Sequence, residues 1–154
     1  MKKLAIGIGM LLLLAVVLPV AAAPVRLSMT TGVGYIICPN SQGEKCRMSW
    51  TAQTDKFGNV NGQAKLTAGF PDITLHAKID QLDVINGSIA YVGGVITYSP
   101  DDPDWLNQHI CFKVKDGGKG GDDYISGWYK GDANFCKGPT FPPFYLFNGN
   151  VKVA

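Results

Sequence analysis

Glutamate is almost missing from this chain: Glu44 stands alone, against many Gly, Thr, Val, Ile and aromatic residues. Glutamate is a good helix former and β-branched and aromatic residues favour strands, so the composition argues against a helical fold. Past the N-terminal run no segment repeats apolar residues at helical spacing, which points the same way. No C-x-x-C pair occurs, and His76 and His109 stand in no ligand pattern with the cysteines, so a structural zinc site is not expected. There is no G-x-S-x-G elbow, and neither histidine has an obvious serine partner; cysteines held in disulfides would leave no thiolate nucleophile. No pair of carboxylates stands out as the two that glycoside hydrolysis requires. His76 is expected on a solvent face, and His109 at the start of a strand.

A basic surplus is missing too. Lys2 and Lys3 precede the apolar run Leu4–Leu18 and the small residues Ala21–Ala23, which reads as a secretory leader spanning residues 1–22 and cut after Ala22, ahead of Pro24. The run is shorter than the ~20 residues of a spanning helix, so the mature chain is not expected to cross a membrane. Without Lys2 and Lys3 the balance is 14 − 2 = 12 basic residues against 12 acidic ones. A neutral chain argues against nucleic acid as the main partner. Residues 23–154 are of a size for one domain with its own core, and no linker or repeat divides them.

What the chain does have is four cysteines, Cys38, Cys46, Cys111 and Cys136. An even set in an exported chain reads as two disulfides, and extracellular or cell-surface location follows. Of the three possible pairings we expect Cys38–Cys46 and Cys111–Cys136, because each pair brackets one local turn region. In a chain-entropy account these loops contribute roughly 2.6 and roughly 3.5 kcal/mol.

Strand signals fill the rest. The organising stretch is His109–Lys130, where Ile110, Phe112 and Val114 alternate with Cys111, Lys113 and Lys115. One face should pack and the other meet water. The Gly/Asp-rich connection at Asp116–Asp123 then turns the chain back into Tyr124–Lys130, a hairpin. In Arg47–Gln53, Met48, Trp50 and Ala52 form the inward set. Ala64, Leu66, Ala68 and Phe70 do so in the next run, and Ile73, Leu75, Ala77 and Ile79 after Pro71. Asn86-Gly87 is a two-residue hairpin turn, and with Ser88 also a formal glycosylation sequon. Leu27–Cys38 is a strand that Gly32 and Gly34 can bend. Phe144–Ala154 is a last strand with Tyr145, Phe147, Val151 and Val153 inward. The result is an all-β antiparallel meander of about eight to nine strands in a closed or partly closed barrel, a β-sandwich being the alternative.

Three stretches resemble a family of small secreted β-domains from bacterial and archaeal exported proteins, called post-COAP-1-like. They are Trp50-Thr51-Ala52-Gln53 with Gly58-Asn59-Val60-Asn61-Gly62; Leu82-Asp83-Val84-Ile85-Asn86-Gly87-Ser88-Ile89-Ala90; and Phe112-Lys113-Val114-Lys115-Asp116-Gly117-Gly118 with Asp122 or Asp123, Ile125-Ser126 and a late Gly149-Asn150-Val151. The resemblance implies a fold and no reaction or cofactor. The four cysteines and the Ser99–Gln108 loop depart from it.

Two acidic loops, with Asp101, Asp102 and Asp104 and with Asp116, Asp122 and Asp123, are candidate calcium ligands, although neither has EF-hand spacing and aspartate beside Gly or Pro is an ordinary turn former. Trp105, Trp128 and Tyr129 are the candidate binding residues, since aromatic faces suit sugar rings or a protein partner. Trp105, in its Asp/Pro loop, is the expected exposed contact. The functional expectation is a secreted, non-enzymatic structural or binding domain acting on extracellular polysaccharide or a surface protein. The alternative is a small β-barrel enzyme or ligand carrier with its site in the barrel mouth.

Overall fold

The computed structural model of the chain describes residues 27–38, 43–69, 72–138 and 143–154. The expected leader, Phe70, Pro71 and Phe141 lie outside them. Nine strands follow one another: β1 (Met29–Ile37), β2 (Lys45–Thr54), β3 (Val60–Gly69), β4 (Asp72–Ile85), β5 (Ile89–Tyr98), β6 (His109–Lys115), β7 (Asp123–Ile125), β8 (Tyr129–Lys130) and β9 (Tyr145–Val153). Each of β1 to β6 pairs antiparallel with the next. β6 pairs with β7, β7 with β9, and β9 returns to β1. Eight strands therefore close into a barrel, and β8 lies outside the ring, paired to β6 at Ile110 and Cys111. The meander is enforced locally. Asn86 (φ 53°) and Gly87 (φ 67°) take the left-handed pair of angles that a tight hairpin between β4 and β5 requires. Between β2 and β3, Asp55 accepts bonds from the Phe57 and Asn59 amides (2.8 and 2.9 Å). Those bonds and the one from the Asn59 side-chain amide hold its carboxyl below the usual carboxylate value, the Asn59 side chain contributing most.

The inward set is the one that alternation predicts. Met48, Trp50, Ala52, Ala64, Ala68, Leu75, Ala77, Ile79, Phe112, Phe147, Val151 and Val153 are buried, with Leu66, Ile73 and Tyr145 packed at the edge. Trp50 is the centre. Its ring meets Phe112 edge-on (5.6 Å) and Phe147 at a tilt (5.5 Å), and its indole N–H donates to the hydroxyl of fully buried Thr30 (3.1 Å). The ring lies directly over Gly32, where a Cβ would stand 2.2 Å from it. Gly32 thus makes room for the largest core side chain.

β6 departs from expectation. Its second face does not meet water: Cys111 is fully buried and Lys113 is 3 % exposed. Over Cys111 the cause is the segment after β8, which folds back over the outside of the sheet; Lys113 packs against the Phe144 ring, 4.5 Å from its amine. Register aligns Gln81, Gly93, Cys111 and Tyr129 in one cross-strand row. The segment is fixed at Gln81, whose side-chain oxygen accepts from the Ala133 amide (2.7 Å), and at Cys111 through the disulfide to Cys136. Between them it passes over Gly93, where a Cβ would lie 3.0 Å from the Ala133 nitrogen. In the neighbouring row, Lys137 adds an ion pair to Asp83 (2.8 Å). Both expected disulfides are formed, the other being Cys38–Cys46.

The return strand of the hairpin is also not one regular run. Val114 faces Ile125, but Cys111 faces Tyr129, so the register slips by one residue between them. Gly127 (φ 73°) and Ser126 form the bulge, and Ser126 Oγ accepts from the Lys113 amide (2.9 Å) where the ladder is interrupted. Unbroken alternation from Ile125 would turn Trp128 to the opposite face. The bulge instead turns Trp128 inward, stacked on Phe112 at 5.8 Å.

Barrel closure depends on side chains. Met29 and Ala154 exchange both backbone bonds (2.7 and 2.9 Å), so in the alternating antiparallel pattern Val151 and Val153 turn their N–H groups away from β1. β7 reaches only Tyr145–Phe147 of β9 and cannot accept them. Asp123 accepts from Val151 N (2.8 Å) and Gly117 N (3.0 Å), and Asp116 from Val153 N (3.1 Å) and Gly118 N (2.7 Å). Amide bonds to a carboxylate are worth about 1.5–3 kcal/mol. Asp123→Ala should therefore lower stability by about 3 kcal/mol in urea denaturation, and Asp122→Ala, an exposed neighbour, by less than about 0.5. Equal effects would remove the carboxylate from the seam. Gly32→Ala should cost about 3 kcal/mol by overpacking against Trp50, read in the same assay.

Candidate functional site

The outer face of β9, β1, β2, β3 and β4 carries the polar half of each alternating strand, and register sets those residues in rows across the sheet. One row runs Asn150, Val33, Ser49, Lys65, His76 and Tyr98; the next runs Lys152, Thr31, Thr51, Gln63 and Lys78. Between them lies an open groove of about 690 Å³. Gly32, Trp50, Ala64 and Ala77 face inward there, so what they offer the groove is backbone. Its walls are hydroxyls, amides, lysine and imidazole, with the exposed side chain of Val33 among them. At one end the His76 and Tyr98 rings pack 4.9 Å apart, with Tyr98 49 % exposed. Two parallel furrows flank it, one past Tyr35, Arg47 and Thr67, the other past Gln53 and Asn61. Paired strands hold these side chains about 4.8 Å apart from row member to row member, so the site needs no ordering of a loop.

The aromatic residues expected from sequence lie elsewhere and are engaged. Trp105 sits in a 3-10 turn, Pro103–Trp105, capped by Asp102, and is half-buried against the core edge rather than free on its loop. Lys130 covers its ring at 4.8 Å and donates to the Asp104 carbonyl (3.4 Å). Trp128 is in the core edge, and its indole nitrogen has no hydrogen-bond partner among the described residues. Tyr129 is bonded to Tyr145. Burial, then the charge and hydrogen bond of Tyr145, push its phenol up to about 12. His109 is exposed, and His76, expected on the solvent side, lies half-buried in the groove wall.

Four of the six aspartates of the two loops serve the backbone. Asp101 accepts from the Thr74 amide (2.9 Å), Asp102 from the Asp104 amide (3.1 Å), and Asp116 and Asp123 from the seam, while Asp104, like Asp122, is exposed. Among the described residues no three His, Cys, Asp or Glu side chains are grouped as metal ligands. Lys113, buried on the outer side of β6 with its amine 4.5 Å from the Phe144 ring, is pushed below the usual lysine value by desolvation.

Comparison with protein-family models, curated proteins and solved structures returns no match. The function is therefore argued from the residues alone. Alternation puts Ser49, Thr51, Gln63, Lys65, His76 and Lys78 on the solvent side of their strands and says no more of them. Nothing in the linear chain says that Thr31, Thr51, Gln63 and Lys78 form one row, because that is a property of four registers together.

The tyrosine pair gives a test of this geometry. A phenol raised in the folded state contributes stability that is complete below the unfolded value of 10.0 and lost as pH rises to about 12. Urea stability of the native chain should fall across that window more steeply than that of Tyr129→Phe. Parallel profiles would show Tyr129 to be unperturbed.

Proposed function

We propose that the protein is a non-enzymatic extracellular binding domain that holds an extended polysaccharide across the outer face of β9–β4. The observation that carries this reading is the groove itself. Its walls of Ser49, Thr51, Gln63 and Asn150 present donors and acceptors in fixed rows, as a chain of hydroxyls requires, and Tyr98, packed on the lining residue His76, offers an aromatic face just beyond one end. The interior gives the carrier or enzyme reading little support, because Met48, Trp50, Leu75, Phe112 and Phe147 occupy it. The disulfides are consistent with an extracellular setting, and no helix among the described residues is long and apolar enough to cross a membrane.

The site thus moves from the Trp105 loop to the strands. The oxidised domain, residues 23–154, is assayed for saturable binding to a panel of soluble polysaccharides by calorimetry and affinity electrophoresis. Gln63→Ala with Tyr98→Ala should weaken binding at least about tenfold, a loss of about 1.4 kcal/mol, and Trp105→Ala should leave it within about twofold. Loss in Trp105→Ala alone would return the site to the loop. No binding by a folded domain would end the polysaccharide reading.

A further inference from the structure

Resting on that reading, we infer that the polymer is anionic: a polysaccharide bearing carboxylate groups. Three adjacent rows of the outer face place bases, and no acid, beside the hydroxyls; the exposed Asp72 and Asp80 of β4 stand just beyond those rows, one at each end. The row Asn148, Tyr35, Arg47, Thr67 and Thr74 carries Arg47; the next carries Lys65; the next carries Lys152 and Lys78. No aspartate or glutamate occurs in these rows. Arg47, Lys65, Lys78 and Lys152 are all exposed, and none is ion-paired among the described residues.

This is not the background of a basic protein. Outside the leader the chain balances at 12 against 12, so four unpaired bases on one face must be matched by acids elsewhere. They are: Asp101, Asp102 and Asp104 share one loop, Asp116, Asp122 and Asp123 another, and Asp83 and Asp132 lie with the segment that crosses β5. Lys65 and Lys78 sit on adjacent strands, each facing the other's neighbour, Lys65 opposite His76 and Gln63 opposite Lys78. Like charges so close repel in the free protein, and a bound anion relieves that repulsion.

Spacing favours a sugar polymer over a nucleic acid. Lys152 and Lys78 end one row, four strand steps or about 19 Å apart, with Thr31, Thr51 and Gln63 between them. The intervening positions of this row offer hydroxyl and amide bonds and no aromatic faces on which bases could stack, Tyr35, His76 and Tyr98 lying in the neighbouring rows. Separated charges with hydrogen-bonding groups between them match a polymer whose carboxylates alternate with neutral hydroxyl-bearing units.

Polygalacturonate, dextran and poly(dT) are titrated into the oxidised domain at 50 and 500 mM NaCl. Polygalacturonate should bind at least tenfold more tightly than dextran and lose at least fivefold at the higher salt. Lys65→Gln with Lys78→Gln should remove at least tenfold of that binding and flatten its salt dependence. Lys119→Gln, an exposed lysine in the loop between β6 and β7, should change nothing, and thermal unfolding checks that each variant is folded. Equal, salt-insensitive binding of dextran and polygalacturonate would overturn the anionic preference and leave the polysaccharide groove standing. An unaltered affinity in the double variant, or tighter binding of poly(dT), would also overturn it. Failure of every polysaccharide would take the groove reading down as well.

Discussion

The barrel is held shut by two carboxylates. A closed sheet must satisfy both edges of its last strand, and here β7 covers only the first part of β9. The exposed remainder would leave the Val151 and Val153 amides unpaired beside the core, where each lost bond costs about 1–3 kcal/mol. Asp123 and Asp116 reach across in place of a strand. This explains the composition of the loop that carries them. Gly117 approaches the Asp122 carbonyl so closely that a Cβ would stand 2.2 Å from it, and Gly118 and Gly120 take positive φ. Glycine lets the loop fold back on itself, and folding back aims the two side chains at β9.

The same economy of strand length governs the other side of β6. A strand in a barrel normally buries one face, but β6 buries both. Because β7 is short and the bulge at Ser126–Gly127 turns the chain, β8 leads out over the sheet rather than back into the ring. The following segment is then tied down by Cys136, Gln81 and the Lys137–Asp83 pair. The Cys111–Cys136 disulfide is a product of this excursion. Lys113 bears the desolvation of its own burial, offset by its place against the Phe144 ring.

Alternation revealed the strands and their inward residues because burial on one face imposes a period of two, and nothing else in the chain competes with that signal. The disulfide pairing was legible because each bridge closes a loop near in sequence. What alternation could not carry were the features set by residues distant in sequence. The burial of Cys111 depends on the segment that carries Cys136, that of Lys113 on Phe144 further along, and the inward turn of Trp128 on a single inserted residue. The aspartates of the second loop looked like ligand candidates because a carboxylate beside glycines is the same string whether it accepts from a cation or from the amides of another strand.

The candidate site illustrates the same limit from the functional side. A barrel this small, once filled by Trp50, Phe112 and Phe147, has spent its interior on stability, and any recognition must use the outside. The outside of a strand face is usually a mixed field of both charges, which lowers self-repulsion. Here Arg47, Lys65, Lys78 and Lys152 stand in three adjacent rows without an acid, Asp72 and Asp80 stand on β4 beyond those rows, and Asp101, Asp116 and Asp123 are fixed by structural bonds to the backbone. Acids needed at the seam and the turns cannot also neutralise the sheet. The aspartates that close the barrel are thereby kept out of the three basic rows, so the constraint that completes the fold also shapes the charge of the face proposed for binding.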